Sequence, residues 1–399
     1  MATVESIDPR KGGGRSRAAI GAGIGGGIEK SRLPLAEAWH LPGYIYESPE
    51  LFALEKDKIY MKDWLAVARV EEIAKPGDFM TFEIVGEPIV VSRHQDGKLY
   101  AYYNSCAHRG VAVATGKGNA AKFTCPYHAW TYDLSGKLVG AGFMDDVKDF
   151  DPETCRLRSV KLDVWEGWVF VNFDERAAPL AEFVAEFAGA FGKFGQGRFK
   201  LTGKMESTFD CNWKLINENF VDLYHFQTLH PTTLVNWPKP GTYPWTKMRH
   251  GGYATFYENN MPVLDSLRPL GPAPWLPDEI KAKPMFGGAG FLSPNLTTFV
   301  RPYSIAQIIV WPLAPNRTYV CQYITVPETY FDLAADLMDR VKNLHELMTI
   351  ITEEDRPMIE SLQKRVGTRG FKPGRLSTGE FLVHHYINDY LERMFGTAA

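Results

Sequence analysis

The 399-residue chain predicts an α+β fold, and three observations carry that expectation. Residues 77–175 break into short β-rich runs punctuated by turn dipeptides. From residue 180 the texture shifts to helical periodicity and longer strands. From residue 331 three helical segments close the chain. Length alone suits two or three domains with ample core.

Composition excludes several classes of function. Apolar residues make up 45% and charged residues 23%, the balance of an ordinary globular protein. A formal charge of −3 predicts neither nucleic-acid nor anionic-membrane binding. Five widely spaced cysteines cannot form a disulfide framework. They suggest a reducing compartment, with some thiols held for a metal. The longest low-charge run, 18–28, is too short and Gly-rich for a membrane span or a signal-peptide core. A cytoplasmic location is the expectation.

Taken in order, residues 1–30 read as a flexible Gly-rich tail. Gly21-Ala22-Gly23-Ile24-Gly25-Gly26 matches a dinucleotide fingerprint, but no strand precedes it and no amphipathic helix follows, so it reads as linker. Residues 31–75 form an arm with a helix at 49–64, its apolar positions being Leu51, Phe52, Leu54, Ile59 and Tyr60. Residues 76–175 form an all-β domain. Its strands are 79–85, 88–92, 98–104, 130–133, 137–139, 159–164 and 168–172, with hairpin turns at Asp96-Gly97 and Ser135-Gly136. Residues 176–399 form the second domain. It opens with a helix at 181–194, a strand at 200–210 and a helix at 213–230. A Pro/Trp/Gly-rich loop follows at 237–290. Its aromatics, among them Trp237, Tyr243, Trp245, Tyr257 and Trp275, suggest packing over a substrate. A meander at 296–301, 305–311 and 319–326 leads to helices at 331–350, 352–365 and 377–395. The last begins with a capping box, Ser377…Glu380.

Two constellations carry chemistry. Cys106-Ala107-His108 and Cys125-Pro126-Tyr127-His128 each supply one thiolate and one imidazole from a tight turn. Such a set holds either tetrahedral zinc or a two-iron cluster with Cys₂ on one iron and His₂ on the other. Zinc fingers tend to pair like with like; one of each per loop favours the cluster. Downstream, Asp222 and His225 sit three apart on one helical face, and His230 lies five beyond. Pro231 disfavours helical geometry at His230, which frees it to swing back. Two imidazoles plus a distant carboxylate make a facial triad suited to Fe(II) and O₂. The alternative is a core helix with two hydrogen-bonded histidines.

Cys106-Ala107-His108-Arg109-Gly110, Cys125-Pro126-Tyr127-His128-Ala129-Trp130, Asn212-Trp213-Lys214 and Glu218…Asp222…His225…His230 occur here in that order. Together they resemble the catalytic α subunit of Rieske non-haem iron oxygenases, the ring-hydroxylating family. Members often carry Gly where Ala129 stands. The resemblance implies an N-terminal all-β Rieske [2Fe-2S] domain, with Cys106, His108, Cys125 and His128 as ligands. It implies a C-terminal helix-grip catalytic domain, an antiparallel sheet with helices, with mononuclear Fe(II) on His225 and His230. Asp355 matches the third ligand, against Glu353, Glu354 and Glu360 as competitors. Asp222 matches an acid that bridges the cluster of one subunit and the iron of its neighbour. It also implies O₂ as co-substrate, electrons from NAD(P)H through a separate reductase with or without a ferredoxin, and a homotrimer or assembly with a β subunit. For substrate, an aromatic compound leads, with hydroxylation or N-demethylation of a small quaternary amine or betaine as the alternative. A non-catalytic electron-transfer or zinc-binding protein would explain the first constellation but leave the second without purpose.

Overall fold

The computed structural model describes residues 27–234, 239 and 244–397. The Gly21–Gly26 motif, Trp237 and Tyr243 lie outside the described residues. Two seven-stranded antiparallel sheets and a three-stranded one organise the molecule.

The first sheet is built from β1 (Leu65–Arg69), β2 (Asp78–Ile84), β3 (Glu87–Arg93), β4 (Leu99–Tyr103), β5 (Lys117–Asn119), β9 (Ser159–Trp165) and β10 (Trp168–Asn172), in the order β1-β10-β9-β4-β3-β2-β5. The turn joining β3 to β4 forms where expected: Asp96 accepts from Lys98 N at 2.8 Å and Gly97 takes a φ of 81°. The small sheet, β6 (Phe123–Thr124), β7 (Thr131–Tyr132) and β8 (Leu138–Gly140), hangs beside it. The segment 31–75, expected as an arm with a helix, also supplies β1. That strand is buried at all five positions, so it carries no polar alternation to betray it.

The second sheet comprises β11 (Phe199–Phe209), β12 (Trp245–Lys247), β13 (Tyr253–Glu258), β14 (Phe286–Leu292), β15 (Leu296–Val300), β16 (Ile305–Ala314) and β17 (Arg317–Pro327), ordered β11-β17-β16-β15-β14-β13-β12. The stretch expected as a loop at 237–290 therefore also supplies β12, β13 and most of β14, with irregular chain and short helical turns between them. Helices cover the sheet: α1 (Pro49–Glu55), α2 (Trp213–Val221), α3 (Phe226–Leu229), α4 (Leu337–Val366) and α5 (Phe381–Phe395) are the ones that position the site.

Three helix expectations are corrected. The helix expected over 213–230 stops at Val221. Asp222 is extended (φ −78°, ψ 118°), and its carboxylate accepts the Tyr224 N–H at 2.7 Å, a local bond that competes with helix propagation. The helices expected at 331–350 and 352–365 are one 30-residue helix, α4, which runs on through Pro357. Thr352 does not cap a new helix there; its hydroxyl donates back to Met348 O at 2.7 Å. The predicted helix 181–194 is two short pieces, Leu180–Phe183 and Ala185–Phe191.

One continuous apolar core runs from the first sheet (Val67, Val91, Phe170) into the second (Phe199, Ile309, Val320). A separate small core, with Cys106, Cys125, Trp130 and Tyr132 among its members, underlies the Cys–His loops. Among the described residues, no helix is long and apolar enough to cross a membrane.

Candidate metal centres and substrate cavity

The first loop follows β4 and the second joins β6 to β7. Their backbones close in the same way. Gly110 N donates to Cys106 O and Ala129 N to Cys125 O, at 2.8 and 3.0 Å. Cys106 N donates to Val111 O and Cys125 N to Trp130 O, at 2.9 and 2.8 Å. Each turn needs a left-handed residue at the fourth position: Gly110 has φ 80° and Ala129 φ 58°.

These turns bury both thiols and expose both imidazoles. The His108 and His128 rings lie 4.6 Å apart between centroids, and His108 stacks on Trp130 at 4.8 Å. The Tyr132 hydroxyl accepts the Ala107 N–H at 3.0 Å and lies 3.2 Å from Cys106 Sγ, within reach to donate to a thiolate there. Hydrogen bonds to ligand sulfur tune cluster potential, and sequence reasoning missed Tyr132. A lone tyrosine on a strand 26 residues from its cysteine gives no spacing signal. Soft donors inside and imidazoles at the solvent edge fit a two-iron cluster. They do not fit one tetrahedral ion, since among the described residues these four side chains do not converge within single-ion distance.

The one set of described residues that does converge is His225, His230 and Asp355, whose donor atoms all lie within 4.8 Å of one another. The break in the helix after Val221 places His225 at the start of α3, and His230 follows α3 with φ −115°. Asp355 comes from the middle of α4. Its Oδ1 lies 3.0 Å from His230 Nε2 and 3.5 Å from His225 Nε2. His225 Nε2 is buried without a well-formed hydrogen bond, as a nitrogen waiting for an ion would be. The far nitrogens are held by acids: Asp222 Oδ2 accepts from His225 Nδ1 at 2.9 Å, and Glu354 Oε2 from His230 Nδ1 at 2.7 Å. Each carboxylate fixes its imidazole with Nε2 facing the centre. Burial alone would lower the His225 pKa, but Asp222 and Asp355 outweigh it and raise it to about 9. Burial acts to raise the Asp355 pKa; the two imidazoles prevail and hold it below the usual carboxylate range.

The competing acids are elsewhere. Glu353 pairs with Arg356 at 3.0 Å, and Glu360 accepts from Asp210 N at 3.2 Å. Glu354 is no competitor but the partner of His230, and it also accepts from Thr233 Oγ1 at 2.7 Å. A cavity of about 90 Å³ opens beside His230 and Asp355. Phe220, Phe226, Tyr257, Phe299 and Met348 supply much of its wall, and Arg301 reaches into it.

A cluster-type Cys–His pair of loops together with a two-histidine, one-carboxylate centre in one chain defines a Rieske-type non-haem iron oxygenase. Comparison with known families agrees. Residues 63–151 match the Rieske [2Fe-2S] domain and residues 180–396 the ring hydroxylating alpha subunit catalytic domain. The chain belongs to this family, and it carries a Rieske cluster and a mononuclear iron as cofactors. The carnitine monooxygenase oxygenase subunit of Acinetobacter pittii is 30% identical over 359 residues, 86% of this chain and 89% of that one. The glycine betaine monooxygenase oxygenase subunit of Pseudomonas aeruginosa is 27% identical, with 93% and 94% covered. Among solved structures, the quaternary ammonium Rieske monooxygenase CntA in complex with an inhibitor superposes with a TM-score of 0.76 at 27% identity, covering 90% of this chain and 96% of that one. A mutant naphthalene 1,2-dioxygenase bound to phenanthrene reaches 0.76 at 20% identity over 92% and 94%, a likeness of fold alone.

Proposed function

We propose that this chain is the terminal oxygenase of a multi-component enzyme that hydroxylates or N-demethylates a small quaternary ammonium compound. The observation that carries it is the near full-length similarity, at 27–30% identity, to oxygenase subunits that act on carnitine and glycine betaine. This reverses the order of the two substrates drawn from the sequence, where aromatics in 237–303 served a stacked ring and a caged ammonium equally well. The cavity supports the change. A quaternary nitrogen has no N–H to donate, so it needs aromatic faces rather than acceptors. Phe220, Phe226, Tyr257 and Phe299 offer such faces, and Asp355 is the one carboxylate in the lining.

In this proposal His225, His230 and Asp355 hold iron, which supplies O₂ activation when bound, and Cys106, His108, Cys125 and His128 hold the [2Fe-2S] cluster. Asp222 and Glu354 keep the histidine Nε2 atoms aimed at the centre. The apolar wall excludes water around the reacting C–H bond. Overall, one oxygen atom enters the substrate and the other leaves as water, using two electrons and two protons. A reductase drawing on NAD(P)H, with or without a ferredoxin, delivers the electrons. In this proposal the subunits form a homotrimer in which His108 and His128, which are exposed, and Asp222, which is partly exposed, meet across the subunit contact. The division at about residue 175 into a cluster domain and an iron domain belongs to the same proposal.

The test is O₂ uptake by the holoenzyme with a surrogate reductase against trimethylammonium compounds and benzoates. Uptake coupled to a hydroxylated or demethylated amine is expected. Turnover confined to the benzoates would restore the aromatic substrate, and His225→Ala should abolish turnover while leaving the cluster spectrum intact.

A further inference from the structure

Arg301 is the one cationic side chain lining this cavity among the described residues, and its surroundings give it no counter-charge. It sits in the β15–β16 turn, 6% exposed, and its guanidinium has no carboxylate partner among the described residues. Its five N–H donors meet a thioether, Met261 Sδ at 3.0 Å, and one carbonyl at long range, Met285 O at 3.4 Å, with the Tyr257 ring 5.1 Å away. Arg69, the other deeply buried arginine, shows the contrast. It binds Glu71 and the carbonyls of Glu166 and Phe199. A buried cation without a counter-ion is costly unless something supplies one.

The fold makes room for this cation deliberately. A Cβ on Gly287 of β14 would meet Arg301 Nη1 at 2.2 Å, so the glycine is the slot in which the guanidinium lies. Arg268, engaged by Asp265 and Asn260, stands close enough to add to the positive potential. Ser304, across the turn from Arg301, brings a hydroxyl to the same wall.

We infer that Arg301 is the anchor for a carboxylate on the substrate, so that the molecule taken here is zwitterionic, its ammonium end against the aromatic faces and its acid end on the guanidinium. This rests on the cavity being the substrate site. A planar fork of N–H donors matches a carboxylate with two hydrogen bonds, and a dry, apolar surround strengthens them.

The experiment measures dissociation constants by calorimetry with the iron- and cluster-loaded enzyme, independent of turnover. The probes are glycine betaine and a longer trimethylammonium carboxylate, each with its uncharged carboxamide, and benzoate with benzamide. The wild type should bind an acid on the order of 100-fold more tightly than its amide. Arg301→Ala should erase that preference, Arg301→Lys should restore part of it, and unchanged affinity for the amides confirms an intact cavity. Gly287→Ala keeps the charge but displaces it, and should weaken the acid and spare the amide. Equal wild-type affinity for acid and amide would overturn the inference even if every variant misfolded, as would an acid preference that survives Arg301→Ala. If the benzoate pair shows the Arg301-dependent preference and the ammonium pairs do not bind, the anchor stands and the quaternary ammonium substrate falls.

Discussion

At the scale of single residues, two neighbouring acids of α4 face the candidate iron site in different ways. Adjacent acids on one helix face different ways. On α4, Asp355 turns to both Nε2 atoms while Glu354 turns to the far side of His230. Glu354→Ala should therefore weaken iron binding by roughly 10- to 100-fold without abolishing it, as loss of such a partner does. Chelator competition measures this; an unchanged affinity would show that Glu354 does not orient His230. Ala129 supports a second expectation. It holds a left-handed φ of 58° at the position that Gly110 occupies in the twin loop. An L-residue there costs about 1 kcal/mol relative to glycine. Ala129→Gly should accordingly raise the temperature at which the cluster spectrum is lost, and a lower temperature would contradict it. The Cys–His spacing and the Asp222…His225…His230 run were legible because ligand geometry forces short, fixed intervals. Tyr132, Glu354 and Arg301 were not, because each acts across a fold that brings distant segments together.

At the scale of elements, strands and hairpins with alternating or turn-bounded sequence were readable, whereas β1 and β14 were not. β1 is uniformly buried, and β14 reads Phe-Gly-Gly-Ala-Gly-Phe-Leu, a run of low strand propensity that only its neighbours hold extended. The end of α2 was misplaced because the Asp222 carboxylate, invisible to periodicity, captures the Tyr224 amide. α2 also carries a titrating group. Burial pushes the Glu218 carboxyl up to about 7, against the lowering effects of His40 and of the Tyr46 hydroxyl, which donates to it at 2.9 Å. The unfolded chain loses that proton near pH 4.5, so between about 4.5 and 7 the folded state holds a proton that the unfolded state lacks. Stability therefore falls as pH rises through this window. Glu218→Gln should flatten the fall in denaturation midpoint between pH 5 and 7; an unaltered slope would assign it to other groups.

At the scale of the whole molecule, the segment 27–64 ties the sheets and helices together. Arg32 donates to the carbonyls of Leu391 and Gly396, Lys58 to that of Met394, and Asp63 pairs with Arg393 at 2.6 Å. The centre of this clamp is Glu55 on α1. Its two oxygens accept from Lys214 Nζ at 2.6 Å, Tyr390 OH at 2.6 Å and Trp213 Nε1 at 2.8 Å, joining α1 to α2 and α5 where both Glu55 and Lys214 are 1% exposed. The two partners are not equivalent. Removing the acid strands a buried ammonium and two neutral donors at once, whereas removing the base leaves a carboxylate that still has two donors. Glu55→Ala should destabilise the protein by about 3–5 kcal/mol, the usual cost of an uncompensated buried charge. Lys214→Met should cost distinctly less, since methionine fills the space and the remaining bonds persist. Because α2 leads directly into Asp222 and His225, Glu55→Ala should also lower iron occupancy before global unfolding, in parallel samples titrated with urea. Equal losses from the two substitutions would mean that the ion pair, and not the three-donor network around Glu55, holds the segment in place.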